Sequence, residues 1–95
     1  MERKHKYKAI ERIFRLNQDL SFILIGDNTS DDVDFYLRAA REFPKQVKAI
    51  YIRKVSYGKS VQRIQSLFNE HEELRTLLFK DPREVIRDVS DYFWK

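Results

Sequence analysis

The chain has no cysteine and only two glycines, two prolines, one methionine and one tryptophan in 95 residues. Without cysteine there is no disulfide framework, no thiolate metal site and no cysteine nucleophile, a composition compatible with a reducing compartment. No apolar run reaches the roughly eighteen residues a membrane span needs, and no charged-then-apolar leader ends in a small-residue cleavage site. The chain therefore reads as cytoplasmic. No Gly/Ser linker, low-complexity tract or internal repeat divides it, so residues 1–95 read as a single unit. Charge of one sign is also lacking: 19 Lys and Arg are interspersed with 15 Asp and Glu, for a net charge of +4. That pattern describes a solvated mixed-charge surface and argues against nucleic acid as a partner. The one dense basic run, Arg3, Lys4, Lys6 and Lys8, lies at the N-terminus, where a phosphate-attracting patch and a frayed end read alike.

What is present is enough apolar surface, 42% of residues with 14% aromatic, for one modest core. Its periodicity alternates. Ile10, Ile13, Phe14 and Leu20 recur at helical spacing, and Phe22 to Ile25 then form a short, continuous apolar run that predicts a strand buried on both faces. Val33, Tyr36, Leu37 and Ala40 return to helical spacing, and Val47 to Ile52 read as a second strand. A third helix over Val61, Ile64, Leu67 and Phe68 leads to a third strand from Leu74 to Phe79. Asp81, Pro82 and Glu84 then open a last helix through Val85, Ile86, Val89 and Phe93. The order αβαβαβα predicts an α/β fold: about three parallel strands with helices on both faces, a thin Rossmann-like three-layer sheet.

If Phe22 to Ile25 is a central strand, the stretch Gly26-Asp27-Asn28-Thr29-Ser30-Asp31-Asp32 leaves its carboxyl end, where open α/β sheets hold their ligands. Asp27 follows the strand directly, so the sheet fixes its direction. Hard carboxylate oxygens there suit Mg²⁺, which keeps several waters and takes one or two protein carboxylates. Asp31 or Asp32 can instead cap the next helix, with Asp34 in its first turn, and for Asp31 and Asp34 that role is the expectation. Asp27 lies too early for a cap, and no turn requirement is expected to demand a charge there. Lys6 and Lys8 are both candidate cations for a phosphate, and both also suit a solvated basic terminus.

From His5 to Val55 the residues resemble a family. His5-Lys6 at a helix start, a strand ending Ile25-Gly26-Asp27, an aspartate five residues on at Asp32, Phe35-Tyr36 at the family's Ile-Tyr position and a strand with Tyr51-Ile52-Arg53 are similar to the C-terminal part of the catalytic domain of the actin-patch phosphatidate phosphatases, a branch of the haloacid dehalogenase (HAD) superfamily. Leu74 to Asp88 resembles the family's closing strand and helix less specifically. The resemblance implies a HAD-like fold, Mg²⁺ held by Asp27 and Asp32 directly or through water, and Lys6 as the catalytic lysine that neutralises charge on an aspartyl-phosphate. It also implies a phosphorylated small molecule or lipid as substrate. The superfamily's nucleophile lies in an Asp-x-Asp-x-Thr motif that these 95 residues do not contain. The chain is therefore expected to be a partial domain, inactive alone, that associates with the missing N-terminal half or forms a homodimer through its unpaired strand edge. The alternative is a non-catalytic α/β module that binds a phosphate-bearing ligand or a partner chain.

Two departures from the family pattern stand in the same region. The loop after Asp27 lacks the family's glycine, and Arg53-Lys54-Val55 replaces Arg-Asp-Val. Elsewhere, His71 among Glu70, Glu72 and Glu73 reads as a solvated helix end, because adjacent residues of one turn diverge. Tyr7, Tyr51, Tyr57 and Trp94 read as packing residues. Gly58-Lys59-Ser60 resembles the end of a P-loop but lacks its upstream glycine, where Arg53 stands.

Overall fold

The computed structural model describes residues 3–93 and the side chains of residues 6–93. Trp94 and the side chains of Arg3, Lys4 and His5 lie outside the described residues. Seven elements follow in the expected alternation: α1 (Arg3–Leu16), β1 (Phe22–Asp27), α2 (Asp32–Glu42), β2 (Val47–Arg53), α3 (Val61–Asn69), β3 (Arg75–Phe79) and α4 (Pro82–Phe93). β1 pairs with β2 and β2 with β3, both in parallel, giving a three-stranded sheet of order β1-β2-β3.

Each face of the sheet has its own core. On one, Phe22 and Leu24 of β1 and Ile50 and Ile52 of β2 meet Tyr7 and Phe14 of α1, Val33, Phe35 and Leu37 of α2, and Ile64 and Phe68 of α3. On the other, Ala49 and Tyr51 of β2 and Phe79 of β3 pack with Val85 and Val89 of α4. The period-two alternation of a strand sends Ile50 and Ile52 one way and Ala49 and Tyr51 the other, so β2 is buried on both sides.

The expectation for β1 is corrected here. It is an edge strand, not a central one, and it is not buried on both faces: Ile23 is 38% and Ile25 54% exposed. The reason is coverage, because α4 spans the second face only over β2 and β3. The same thinness leaves Ile13, Leu20 and Ile86 exposed, although their spacing placed them in a core. Tyr57, expected to pack, is also exposed.

Local chemistry sets the helix starts. Pro82 opens α4, the Asp81 carboxylate accepts from the Arg83 amide at 2.9 Å, and Glu84 accepts in return from the Asp81 amide at 2.9 Å, a reciprocal capping box. Ser60 caps α3 by accepting from the Arg63 amide. Gly58-Lys59-Ser60 thus serves a helix start and not a phosphate cradle.

Candidate functional site at the carboxyl edge of the sheet

β1 and β2 end in register at Asp27 and Arg53. Above them, α1 and α2 run in the same direction, because Lys6 meets Asp32 near their N-terminal ends while the Arg15 guanidinium lies 5.4 Å over the Phe43 ring at their far ends. Lys6 Nζ donates to Asp32 Oδ1 at 2.6 Å, with the lysine 42% and the aspartate 16% exposed. The neighbour of Lys6 fixes this approach. Tyr7 is buried in the core, its hydroxyl donates to Glu42 at 2.9 Å, and the Arg38 guanidinium stacks 3.8 Å over its ring. Burial and the Glu42 carboxylate together push the Tyr7 phenol up to about 12.

Asp32 leans over the end of β1 through the lack of a side chain there. A Cβ on Gly26 would come within 2.7 Å of Asp32 Oδ2 and 3.0 Å of the Tyr36 ring. The Tyr36 hydroxyl in turn donates to the Ile25 carbonyl at 3.0 Å. Phe22 and Asn28 direct their amides toward β2, so by alternation Ile25 points outward, and Tyr36 covers one group of the open edge.

Asp27 does meet a turn requirement, contrary to expectation. Its Oδ1 accepts from both the amide and the hydroxyl of Thr29, closing an Asx-type turn without the family's glycine. The Thr29 hydroxyl, then the Thr29 amide, hold the Asp27 carboxyl below its ordinary value against a small burial effect, and the Arg53 and Lys6 cations add to this. Lys6, Asp27 and Asp32 therefore share one end of the sheet.

The other acids of the loop point away from α2's own backbone. Asp31 stands at the N-cap position but makes no side-chain cap bond; it accepts from Lys59 Nζ at 2.7 Å. Asp34, in the first turn, accepts from Arg63 at 3.2 Å. Both bonds tie α2 to the segment after β2.

The residue that organises this junction is Asn28, which the sequence did not single out. It is 1% exposed. Its side chain donates to the carbonyls of Val55 at 3.2 Å and Lys59 at 2.9 Å and accepts from the Val55 amide at 2.9 Å. Gly58 lies against this amide so closely that a Cβ there would sit 2.4 Å from Asn28 Oδ1. Asn28 thus locks the β1–α2 loop to the β2–α3 loop. Nothing local marks it, since its partners lie 27 and 31 residues away.

His71 is not on a solvated helix end: it lies in the turn after α3, its side chain only 14% exposed and 3.9 Å from Glu73, its amide donates to the Phe68 carbonyl and its carbonyl accepts from the Leu74 amide. Among the described residues no group of three or more His, Cys, Asp or Glu converges on a point. Asp27 and Asp32 each commit Oδ1 and keep an Oδ2 without a hydrogen bond among the described residues. Two carboxylates, each with an oxygen to spare beside a lysine, fit the donor type of a hard cation that retains most of its waters.

A parallel α/β sheet with acids and a lysine at its carboxyl edge defines the class, a Rossmann-like domain with a polar site at its strand ends. The chain belongs to the family described as the phosphatidate phosphatase APP1 catalytic domain, whose model matches residues 1–54. It is similar to phosphatidate phosphatase APP1 of Saccharomyces cerevisiae (strain ATCC 204508 / S288c), 38% identical over 55 residues, which is 58% of this chain and 9% of the yeast protein. No solved structure matches. The matched region contains α1, β1, α2 and β2, and with them Lys6, Asp27 and Asp32. Among the described residues no helix is long and apolar enough to cross a membrane.

Proposed function

We propose that these residues form the metal- and lysine-bearing part of a Mg²⁺-dependent phosphatidate phosphatase site of HAD type. The observation that carries the reading is the placement of Lys6 on Asp32 at 2.6 Å, beside the end of the strand that carries Asp27, within the family match. Asp27 and Asp32 would hold Mg²⁺, which supplies charge neutralisation for a phosphate dianion. Lys6 offers its cation to a phosphate oxygen from the α1 side, and its bond to Asp32 keeps the ammonium aimed at that place. Asn28 and the Asp27-Thr29 turn hold the strand end rigid. The nucleophile is supplied from outside these residues, so the chain by itself binds phosphate and Mg²⁺ without turning over a phosphomonoester. The outward edge of β1, with Ile23 and Ile25 exposed beside it, is the surface through which the chain pairs with another copy or with the remainder of a catalytic domain.

The test is a titration of the chain with Mg²⁺ and inorganic phosphate, followed by the amide signals of residues 26–32. Expected are mutually enhanced shifts that Asp27→Asn and Lys6→Met abolish. Phosphate binding that is indifferent to Mg²⁺ and to Asp27→Asn would favour the non-catalytic module. Phosphate release from phosphatidate by the chain alone would overturn the external nucleophile.

A further inference from the structure

The segment from Arg53 to Ser60 differs from the rest of the surface. It carries Arg53, Lys54 and Lys59 and no acid. At its tip the ring of Tyr57 is 83% exposed and makes no ring contact or hydrogen bond among the described residues. Arg53 and Lys54 are exposed and form no ion pair among the described residues, while Lys59 is held by Asp31. The acids that face the two unpaired cations, Asp27 toward Arg53 and Glu84 toward Lys54, act through space without contact.

The loop is nonetheless built rather than loose. Three side-chain bonds from buried Asn28 fasten Val55 and Lys59, the Lys59 amide donates to the Asn28 carbonyl at 2.5 Å, and the Gly58 amide donates to the Val55 carbonyl at 3.1 Å. A tyrosine presented in solvent on a fastened loop loses little freedom when it binds. The loop also follows β2 at the carboxyl edge, the edge that holds Lys6, Asp27 and Asp32.

We propose that this loop is a membrane-docking element, in which Tyr57 enters the headgroup layer of an anionic phospholipid surface while Arg53 and Lys54 meet the lipid phosphates. The choice of a lipid partner rests on the phosphatidate reading above. Physical form supports it. Tyrosine, with an apolar ring and a polar tip, settles at the depth of the headgroups, and flanking cations are drawn to the negative surface. A surface that binds nucleic acid would instead offer successive aromatic platforms for bases, and this loop has one ring. Docking here would turn the carboxyl edge toward the bilayer, where a lipid phosphomonoester is presented.

Co-sedimentation of the full chain with phosphatidylcholine vesicles, with and without phosphatidylserine or phosphatidate, tests this. Binding is expected only to the charged vesicles and is expected to fall with salt. Each cation near such a surface contributes about fivefold to partitioning, so Arg53→Ala with Lys54→Ala should weaken binding roughly twenty-five-fold. Lys45→Ala with Lys48→Ala removes the same charge from the opposite edge of the sheet and should change binding far less. Tyr57→Trp should bind at least as well as the parent and show a blue-shifted emission increment with vesicles, whereas Tyr57→Ala weakens binding. All these positions are exposed, so the variants keep the fold, which circular dichroism checks. Equal losses from the Arg53–Lys54 and Lys45–Lys48 double variants would reduce the effect to net charge and overturn the proposal. So would absent binding to any vesicle, or tighter, loop-dependent binding to an oligonucleotide. If phosphatidylserine and phosphatidate vesicles bind alike and Asp27→Asn changes neither, the docking loop stands while the phosphatidate headgroup reading fails.

Discussion

At the β1 edge Lys6 reaches Asp32 through one contact of 2.6 Å, and the lysine side chain keeps 42% of its surface in solvent. Across the sheet Arg75 grips Asp88 with two nitrogens, Tyr51 donates to the same carboxylate at 2.6 Å, and Arg75 stacks 3.9 Å from the Tyr92 ring. The chemistry of the two pairs is alike and their settings are opposed. Asp88 is the buried residue of α4, sealed under that helix against β2 and β3. Its bonds hold α4 to the sheet and cannot be exchanged for a ligand without unpacking the core. The Lys6–Asp32 pair has one bond to exchange and a free oxygen on the acid. An ion pair that fastens the fold and an ion pair that can open for a ligand are thus told apart by burial and by the number of bonds, not by residue type.

That contrast predicts unequal costs. Asp88→Ala removes the acceptor of Arg75 and strands a buried tyrosine hydroxyl, and should lower unfolding free energy by about 3 kcal/mol; a urea midpoint unchanged from the parent would mean that the network does not hold α4. Gly58→Ala, with Asn28 backed by the three bonds that fasten both loops, should cost about 2 kcal/mol, the scale of overpacking a filled site, and should broaden the amide signals of residues 28 and 59. Lys6→Met should cost about 1 kcal/mol, the upper end for a solvent-screened pair, since Asp32 is mostly covered while Lys6 is not, and should abolish the phosphate response. A large loss of stability at Lys6 would place it with Arg75 as a fastener.

The pairs also separate by pH. The Arg75 side chain holds the Asp88 carboxyl below its ordinary value of 3.8, with Tyr51 adding to this. A depressed acid stabilises the fold above its unfolded value and loses that contribution as pH falls through the depressed one, so acid unfolding should be shallower in Asp88→Asn. Tyr7 gives the converse at high pH: with its phenol raised to about 12 from 10.0, its contribution is present below pH 10.0 and fades as pH rises through the raised value. Tyr7→Phe should flatten that alkaline limb. The smallest expected effect concerns association. Sedimentation at micromolar concentration should show a dimer through the β1 edge, weakened by Ile25→Lys; a folded monomer would mean that Tyr36 and its bond to Ile25 suffice to close the edge.

Much of this was legible along the chain because it is local. The alternation of helical and strand periods, Pro82 at the start of α4 and the Asp81–Glu84 capping box depend on residues a few positions apart, and the elements follow in the order their patterns set, with α1 ending at Leu16 short of Leu20 and β3 beginning at Arg75. The seven elements and the location of Asp27 at a strand end came from hydrophobic period and turn residues alone, since backbone geometry converts spacing directly into direction. Whether Phe22 to Ile25 would be covered on both faces could not be read that way, since coverage depends on where α4 lands. Nor could the spacing show that Asn28 closes onto Val55 and Lys59, or that Lys6 chooses Asp32. Those pairings join residues 26 to 31 positions apart across Lys6, Asn28 and their partners, and only the packing of parallel strands and their helices brings such distant side chains within hydrogen-bonding reach.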